Sequence, residues 1–285
     1  MPIDPKQDAE FEALARKLES VRRRPAAKKR RSPLALFDAD KYLFEQEVEE
    51  DFDDEIFLRD FLSAPAADKP VYLSLPGTAG NYASTPDSAA NSVVGDLDLK
   101  VRAALDDWTP AATSTLLNKW TTTGNQRAYM LQVLAGGTLR LSWSANGTAV
   151  IAKDSTVATG VTDATRKWVR ATLDVDNGAV GNDVKFYTSD DGADWTQLGT
   201  TVTTAATTAV FDSTAALILG GNDAGATERL TGKVYSAEVR NGIDGSVVAA
   251  FNPFRDAPGN VDAFTAYTGG VWTINKSGGT PAALV

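Results

Sequence analysis

Apolar and polar side chains alternate with a period of two from Val71 onward. The alternation is clearest in residues 97–105, 139–144 and 169–175, where Leu, Val, Ala and Trp take every second position and most of the positions between are charged or hydroxylated. A period of two places the apolar residues on one face of a β-strand. These segments therefore predict antiparallel strands with one buried face and one solvated face.

Turn-forming residues interrupt the alternation at short intervals. Asn-Gly, Asp-Gly and Gly-Gly pairs provide the positive φ angles that tight hairpins need. Many short strands with no helical segment between them predict a mainly β fold, a two-sheet antiparallel jelly-roll sandwich. The pairs are Gly136-Gly137, Asn146-Gly147, Asn177-Gly178, Asp191-Gly192, Gly220-Gly221, Asn241-Gly242 and Asp244-Gly245.

The start of the chain has a helical pattern instead. Asp4 can cap a helix and Pro5 suits its first turn, and apolar residues then recur at spacings of three and four up to Pro25. We expect an amphipathic helix over about residues 5–24, whose apolar stripe needs a partner because an isolated helix of this length is marginal in water. The stripe comprises Phe11, Leu14, Ala15, Leu18 and Val21.

Charge divides the first 65 residues into two opposed blocks. Residues 16–31 carry nine basic residues and one acidic residue, whereas residues 38–60 carry eleven acidic residues and two basic ones. Residues 63–67 are typical of a linker. The sequence therefore predicts a charged, partly helical anchoring arm over residues 1–65 and a jelly-roll domain over residues 66–285.

Apolar residues also recur within the acidic segment of the arm, residues 38–62, where they predict a second short helix or an extended segment with apolar anchors. We expect the arm to dock on other protein subunits, with a solvated tether as one alternative and nucleic-acid contact as another. The expected docking residues are Phe11, Leu14, Leu18, Arg22, Arg23, Arg24, Lys28, Lys29, Arg30, Arg31, Phe44, Phe52 and Phe57.

The amino-acid composition excludes several kinds of catalytic and metal-binding site. The chain has 28 Lys and Arg against 37 Asp and Glu, a net charge of −9, and it contains no Cys and no His. Disulfides, thiol nucleophiles, imidazole bases and histidine metal ligands are therefore excluded. No segment approaches the roughly 18 consecutive apolar residues of a membrane helix, and the N-terminus lacks the apolar core of a signal peptide.

Three motifs follow one another in the second half of the chain. They are Lys167-Trp168-Val169, the Val184–Tyr187 hairpin with Asp191-Gly192, and Leu219-Gly220-Gly221 followed by residues 230–234. Their order resembles the laminin-G-like, concanavalin-type jelly roll over about residues 71–275. The resemblance implies the fold more than the function, because this fold hosts sugar binders, adhesion modules and hydrolases.

A Gly- and Thr-rich domain behind a charged arm also resembles minor tail or head-surface proteins of tailed bacteriophages that infect actinobacteria. Jelly rolls of this family act outside cells, and a virion component reaches the outside by lysis after assembly in the host cytoplasm. The resemblance implies a virion location, other virion subunits as partners, and many copies or a homo-oligomer.

The six Trp residues all lie in the predicted domain, and two of them, Trp120 and Trp195, lie next to loops. An exposed indole offers a flat apolar face to a sugar ring, so these two are the candidates for carbohydrate contact. Packing in the core or at its rim is the alternative. Trp143 and Trp168 lie within strand patterns, and we expect them to be packed.

Asp190, Asp191 and Asp194 are the candidate metal ligands, because Ca²⁺ takes several oxygen ligands and members of the resembled family often carry one at the rim of the sandwich. The alternative is a hairpin turn in which Asp and Gly serve the backbone. We expect no other cofactor.

Glycosidases of the resembled fold carry paired carboxylates on one strand, commonly as Glu-x-Asp-x-x-Glu. The nearest match, Glu49-x-Asp51-x-x-Asp54, lacks the final Glu and lies in the arm. We therefore expect no enzymatic activity. The favoured hypothesis is a virion structural protein, a minor tail or capsid-surface component, whose domain binds host-surface glycans. A purely structural decoration protein and a polysaccharide depolymerase are the alternatives.

Overall fold

The computed structural model describes residues 71–279 and 281–285, which form two antiparallel β-sheets, sheet A and sheet B. The predicted mainly β, two-sheet sandwich is therefore confirmed. The arm residues named above, from Phe11 to Phe57, and the helix predicted over residues 5–24 lie outside the described residues. Within the described residues, no helix is long and apolar enough to cross a membrane.

Sheet A contains nine strands within the described residues, numbered here in chain order. They are β1 (Leu73–Pro76), β3 (Leu97–Leu105), β8 (Lys167–Asp174), β9 (Gly181–Ser189), β10 (Thr196–Gln197), β11 (Val202–Ala205), β13 (Thr231–Asn241), β14 (Ser246–Phe251) and β17 (Ala283–Leu284). Their order across the sheet is β10-β9-β8-β3-β13-β1-β17, and β11 pairs with β9 while β14 pairs with β13. Long strands β3, β8 and β13 thus form its centre.

Sheet B contains the other eight strands of the described residues. They are β2 (Tyr82–Thr85), β4 (Ser114–Thr121), β5 (Gln126–Val133), β6 (Thr138–Gly147), β7 (Ile151–Ala158), β12 (Leu217–Leu219), β15 (Ala263–Thr265) and β16 (Val271–Asn275). Their order is β15-β16-β2-β12-β4-β5-β6-β7. A short helix, α1 (Pro253–Asp256), begins at Asn252, whose side chain accepts a hydrogen bond from the backbone N–H of Arg255.

The apolar positions of the alternating segments form the core between the sheets. The three segments identified from the sequence coincide with β3, β6 and β8, and their apolar residues are buried except Val175, which lies just beyond β8 and is partly buried. Each enclosed Leu or Val contributes roughly 1.5–3 kcal/mol relative to an exposed one. The core residues from these strands are Leu97, Leu99, Val101, Ala103, Leu105, Leu139, Leu141, Trp143, Val169, Ala171 and Leu173.

Most of the predicted glycine turns connect strands as expected. Gly136-Gly137 joins β5 to β6, and both residues have positive φ angles, 82° and 87°. Gly137 also has no room for a side chain, because a Cβ there would lie 2.8 Å from the carbonyl oxygen of Trp108. Asn146-Gly147 differs from the expectation, since it forms the end of β6 and the chain reaches β7 only at Ile151.

The prediction of a solvated outer face is wrong for the centre of sheet A. Asp98, Lys100 and Arg170 occupy outward positions of β3 and β8, yet they are only 0%, 7% and 5% exposed. Two loops fold over them, the β13–β14 turn and the segment between β9 and β10. Alternation along a strand does not predict such loops, because it only records which face a side chain takes.

A buried ion pair holds this covered region together. The Arg170 guanidinium donates to both carboxylate oxygens of Asp98 at 2.9 Å each, and it also donates to Asp244 in the β13–β14 turn at 2.8 Å. Asp98 accepts a further hydrogen bond from the backbone N–H of Asp244 at 3.1 Å. The turn is therefore tied directly to the centre of the sheet.

Replacing Asp98 with Asn should destabilise the full-length protein by about 3–5 kcal/mol, because the buried cations Lys100 and Arg170 would lose their buried carboxylate partner and keep only the exposed Asp244. Asp154→Asn is the matched control, since Asp154 forms a similar two-point pair with Arg140 that is about 40% exposed. That exposed pair should contribute less than about 1 kcal/mol. Equal losses of unfolding free energy in urea would contradict the role assigned to Asp98.

Candidate functional site

Five aromatic side chains project from the outward side of sheet A, and together they are called the aromatic face. All five are half-buried, whereas the Trp residues in the core are fully enclosed. Strand alternation explains Trp168 and Tyr187, because the adjacent residues Val169 of β8 and Phe186 of β9 point into the core. The aromatic face comprises Tyr72, Trp168, Tyr187, Trp195 and Tyr235.

A β-bulge brings Tyr235 to this surface. The register between β13 and β3 shifts between Val234 and Ser236, so Tyr235 is the extra residue of the bulge. Its ring packs 5.4 Å from that of Tyr72, which precedes β1. The bulge therefore places two consecutive residues, Tyr235 and Ser236, between the core residues Val234 and Ala237.

Trp195 covers the buried cations of the sheet. Its ring centroid lies 5.3 Å from Lys100 Nζ and 5.5 Å from the guanidinium carbon of Arg170, and its edge packs against Trp168 at 6.3 Å. The cations contribute an attraction to the ring in addition to apolar contact. Of the two candidates for sugar contact, Trp195 thus has a packing role and remains half-exposed.

Three other cations lie over aromatic rings of the same surface. Arg102 lies 5.8 Å from the Trp168 ring, Arg166 lies 5.2 Å from the Tyr235 ring, and Lys233 lies 4.8 Å from the Tyr72 ring. The expectation that Trp168 is packed is thus met only in part, because its ring is half-buried beneath side chains of the outer surface. Each of these three cations therefore contacts an aromatic ring of the outward side of sheet A.

The three candidate metal ligands belong to the turn that carries Trp195. Asp191 accepts hydrogen bonds from the backbone N–H groups of Asp194 and Ala193 and from the Ser189 hydroxyl. These bonds, led by that of Asp194, hold the pKa of Asp191 below its usual value. Asp190 instead pairs with Lys167 at 2.6 Å.

The arrangement of these aspartates matches the hairpin alternative. Within residues 71–279 and 281–285, no group of three or more carboxylates is placed to hold a metal ion. Gly192 brings the turn close to the sheet, because it has a φ of 84° and a Cβ there would lie 2.8 Å from Trp168 Nε1. The turn thus positions Trp195 beside Trp168.

Trp120, the other candidate for sugar contact, lies on sheet B and is only 5% exposed. It lines a groove of about 510 Å³ together with Ile218 and Asp223. The core between the sheets includes neither Trp120 nor Ile218, although both are buried. The groove therefore meets only a small part of the indole rather than its open face.

A buried lysine was missed by the sequence reasoning. Lys119 belongs to β4, is fully enclosed, and donates to the Asp87 carboxylate and to the carbonyl oxygen of Ala215. Burial lowers its pKa, and the charge and hydrogen bond of Asp87 oppose that effect. Asp87 also lines a cleft of about 360 Å³ beside Trp272. The sequence around Lys119 contains no feature that distinguishes it from a surface lysine.

Comparisons with known proteins give fold-level matches alone. No family model and no curated protein matches the chain. Among solved structures, the Ruminococcus gnavus IT-sialidase CBM40 bound to alpha2,3 sialyllactose matches at 14% identity and a TM-score of 0.42, covering 61% of this chain and 94% of that one.

Two further solved structures are similar at the same level. Mouse laminin alpha1 chain domains LG4-5 match at 14% identity and a TM-score of 0.42, covering 70% of this chain and 53% of that one. The heptameric SAP-like pentraxin of Limulus polyphemus matches at 15% identity and 0.38, covering 66% and 80%. At these values the fold assignment rests on the two sheets described above.

The pKa of Asp244 provides a test of the tethered turn. Burial works to raise this pKa, but the hydrogen bond and charge of Arg170, together with Lys100 and Arg240, outweigh it and hold the pKa below its usual value. Asp244 therefore stabilises the fold above its unfolded pKa of about 3.9. This contribution should disappear as the pH falls through the lower, folded-state pKa.

Carboxyl NMR titration should find the Asp244 midpoint below about 3.9. The Asp244→Asn variant should unfold more easily than the wild type at pH 6, and the difference should shrink as the pH approaches 3. A gap in unfolding free energy that stays constant over this range would contradict the assigned pairing with Arg170.

Proposed function

We propose that residues 71–285 form a carbohydrate-binding domain that catalyses no reaction. The observation that carries this proposal is the aromatic face, because five half-buried aromatic side chains gather on one broad, outward surface. Aromatic rings offer flat apolar area to the C–H faces of sugars, and neighbouring polar groups then fix orientation. Trp195 is the contact residue we favour, since its packing against Lys100 and Arg170 leaves it half-exposed.

The engagement of the two glutamates supports binding without catalysis. The two glutamates of the described residues both have partners: Glu228 accepts from Thr115 at 2.7 Å and Gln132 at 2.8 Å, and Glu238 pairs with Arg240 at 2.7 Å. Hydrolysis of a glycosidic bond generally needs two carboxyl groups that flank the bond. Carboxylates already committed to such contacts are poor candidates for that task.

We further propose that the domain is displayed on a virion, as a minor tail or capsid-surface component of a tailed bacteriophage, with residues 1–65 as its anchor. The opposed charge blocks and the apolar stripe of the arm suit docking on neighbouring subunits. Many copies on one particle would strengthen weak single-site binding through avidity. A purely bracing role remains the rival outcome of the tests below.

Replacing Trp195 with Ala should weaken binding to a responsive glycan at least about tenfold, which corresponds to about 1.4 kcal/mol. The measurement is a screen of the full-length protein against immobilised neutral and acidic polysaccharides, followed by titration calorimetry. Tyr267→Ala is the matched control, because Tyr267 is 44% exposed and lies outside the aromatic face. It should bind like the wild type.

Circular dichroism should first establish that the Trp195→Ala variant keeps the strand content of the wild type. If the wild-type protein binds none of the polysaccharides in the screen, the result would favour a purely structural role over glycan binding. Equal losses in the Trp195 and Tyr267 variants would contradict the assigned surface.

Deleting residues 1–65 should abolish incorporation into particles, because the docking residues would be lost, while circular dichroism of the remaining chain should retain a strand-rich spectrum. Purified particles assembled with tagged full-length or shortened protein can be compared by immunoblotting. Incorporation of the shortened chain at the level of the full-length chain would overturn the anchoring role.

A further inference from the structure

The outward side of sheet A divides into two halves that differ in charge balance. In the first half, Lys100 and Arg170 lie among the carboxylates of Asp98 and Asp244, at 2.8–3.9 Å. Lys100 and Arg170 thus each have two carboxylates within ion-pair distance. The positive charge here is neutralised by the fold itself.

The second half carries three cations, Arg102, Arg166 and Lys233, which together are called the basic patch. Within residues 71–279 and 281–285, the ion pairs and side-chain hydrogen bonds involve none of the three. Arg102 is half-buried and its Nε has no acceptor. A donor enclosed without an acceptor is costly, so such groups need an explanation.

Strand register brings the basic patch together. Arg102 of β3 pairs across to Trp168 of β8 and to Ser236 of β13, and Lys233 of β13 pairs with Ala104 of β3. Arg166 immediately precedes β8. The three cations therefore span three neighbouring strands, at a spacing of about 4.8 Å per strand.

The electrostatic environment of Arg102 agrees with an unbalanced positive charge. Burial lowers its pKa, and the nearby charge of Arg166 lowers it further, while the opposing contribution comes from Tyr235 rather than from a carboxylate. This local excess stands out in a chain with a net charge of −9. An anion bound at the patch would relieve the repulsion between the two arginines.

The aromatic rings hold these cations in place. Each cation lies over the ring of Tyr72, Trp168 or Tyr235, so its side chain has lost part of its conformational freedom before any ligand arrives. Preorganisation lowers the entropic cost of binding. Two of the three cations are arginines, whose planar fork pairs with a planar carboxylate through two hydrogen bonds.

We propose that the basic patch binds the carboxylate groups of an acidic glycan, of the uronic acid type. This inference rests on the proposed function, since it assigns the chemical class of the glycan that the aromatic face contacts. Arg102 and Arg166 take the carboxylate, Lys233 adds a third positive charge, and the hydroxyl groups of Tyr72 and Tyr235 contact the sugar hydroxyls. Trp168 lies against both Arg102 of the basic patch and Trp195, so the patch and the aromatic face are continuous.

The test is titration calorimetry of the full-length protein with oligogalacturonate and with its methyl ester, which keeps the sugar backbone but has no charge. The wild type should bind the acid at least about tenfold more tightly than the ester, since hydrogen bonds to charged groups are the stronger class. Raising the salt concentration should weaken binding of the acid and leave the ester unaffected.

Arg166→Gln and Lys233→Gln should each reduce the affinity for oligogalacturonate about three- to tenfold, as expected for partly exposed charge contacts. Both side chains are exposed, so these variants should fold normally. Arg140→Gln is the matched control on sheet B and should bind like the wild type. Arg102→Gln should give the largest loss.

The outcomes separate this inference from the proposed function. Equal binding of the acid and the ester, both weakened by Trp195→Ala, would overturn the basic patch as a carboxylate site and leave glycan binding intact. Binding of poly-glutamate or of a phosphodiester-linked teichoic acid as tightly as oligogalacturonate would also overturn it. No binding of any glycan in the wider screen would overturn both.

Discussion

The bidentate pair between Arg170 and Asp98 is the interaction on which the outward surface of sheet A depends. A guanidinium enclosed at the centre of a sheet is tolerated only when a carboxylate meets it in good geometry and the remaining donors find acceptors. Asp244 completes that set and brings the β13–β14 turn over the sheet. Lys100 and Arg170 of this ion-pair network contact the Trp195 ring, so the proposed contact surface depends on the network.

The sequence predicts those strands well whose position depends only on the alternation of apolar and polar residues. Strands β3, β6 and β8 follow from alternation alone, because burying one face of each strand is the dominant gain in free energy. The covered outer face could not be predicted in the same way, since Asp98 and Arg170 are far apart in the chain and appear as ordinary solvated residues. Their burial depends on a turn whose docking requires the folded sheet.

The candidate site shows the same division. Proximity to a loop selected both Trp195 and Trp120 as candidates for sugar contact, but the fold leaves Trp195 half-buried on the outward side of sheet A and encloses Trp120 on sheet B. The bulge at Tyr235 has no local signal of its own, because it arises from a register shift between two strands distant in sequence. The aspartates 190, 191 and 194 were recognisable as turn residues from the adjacent Gly192. Single residues were thus predictable when their role was local, and the charge balance of the surface was not.

The enclosed amine of Lys119 has a practical consequence. Reagents that acylate lysines need an unprotonated, accessible nitrogen, and this nitrogen is enclosed within the sandwich and bonded to Asp87 and to a backbone carbonyl. Exposed lysines such as Lys233 should therefore react at once, whereas labelling of Lys119 has to wait until the sheets separate. The rate at which Lys119 is acylated, measured by mass spectrometry, therefore reports the rate at which the domain opens, and no engineered probe is needed.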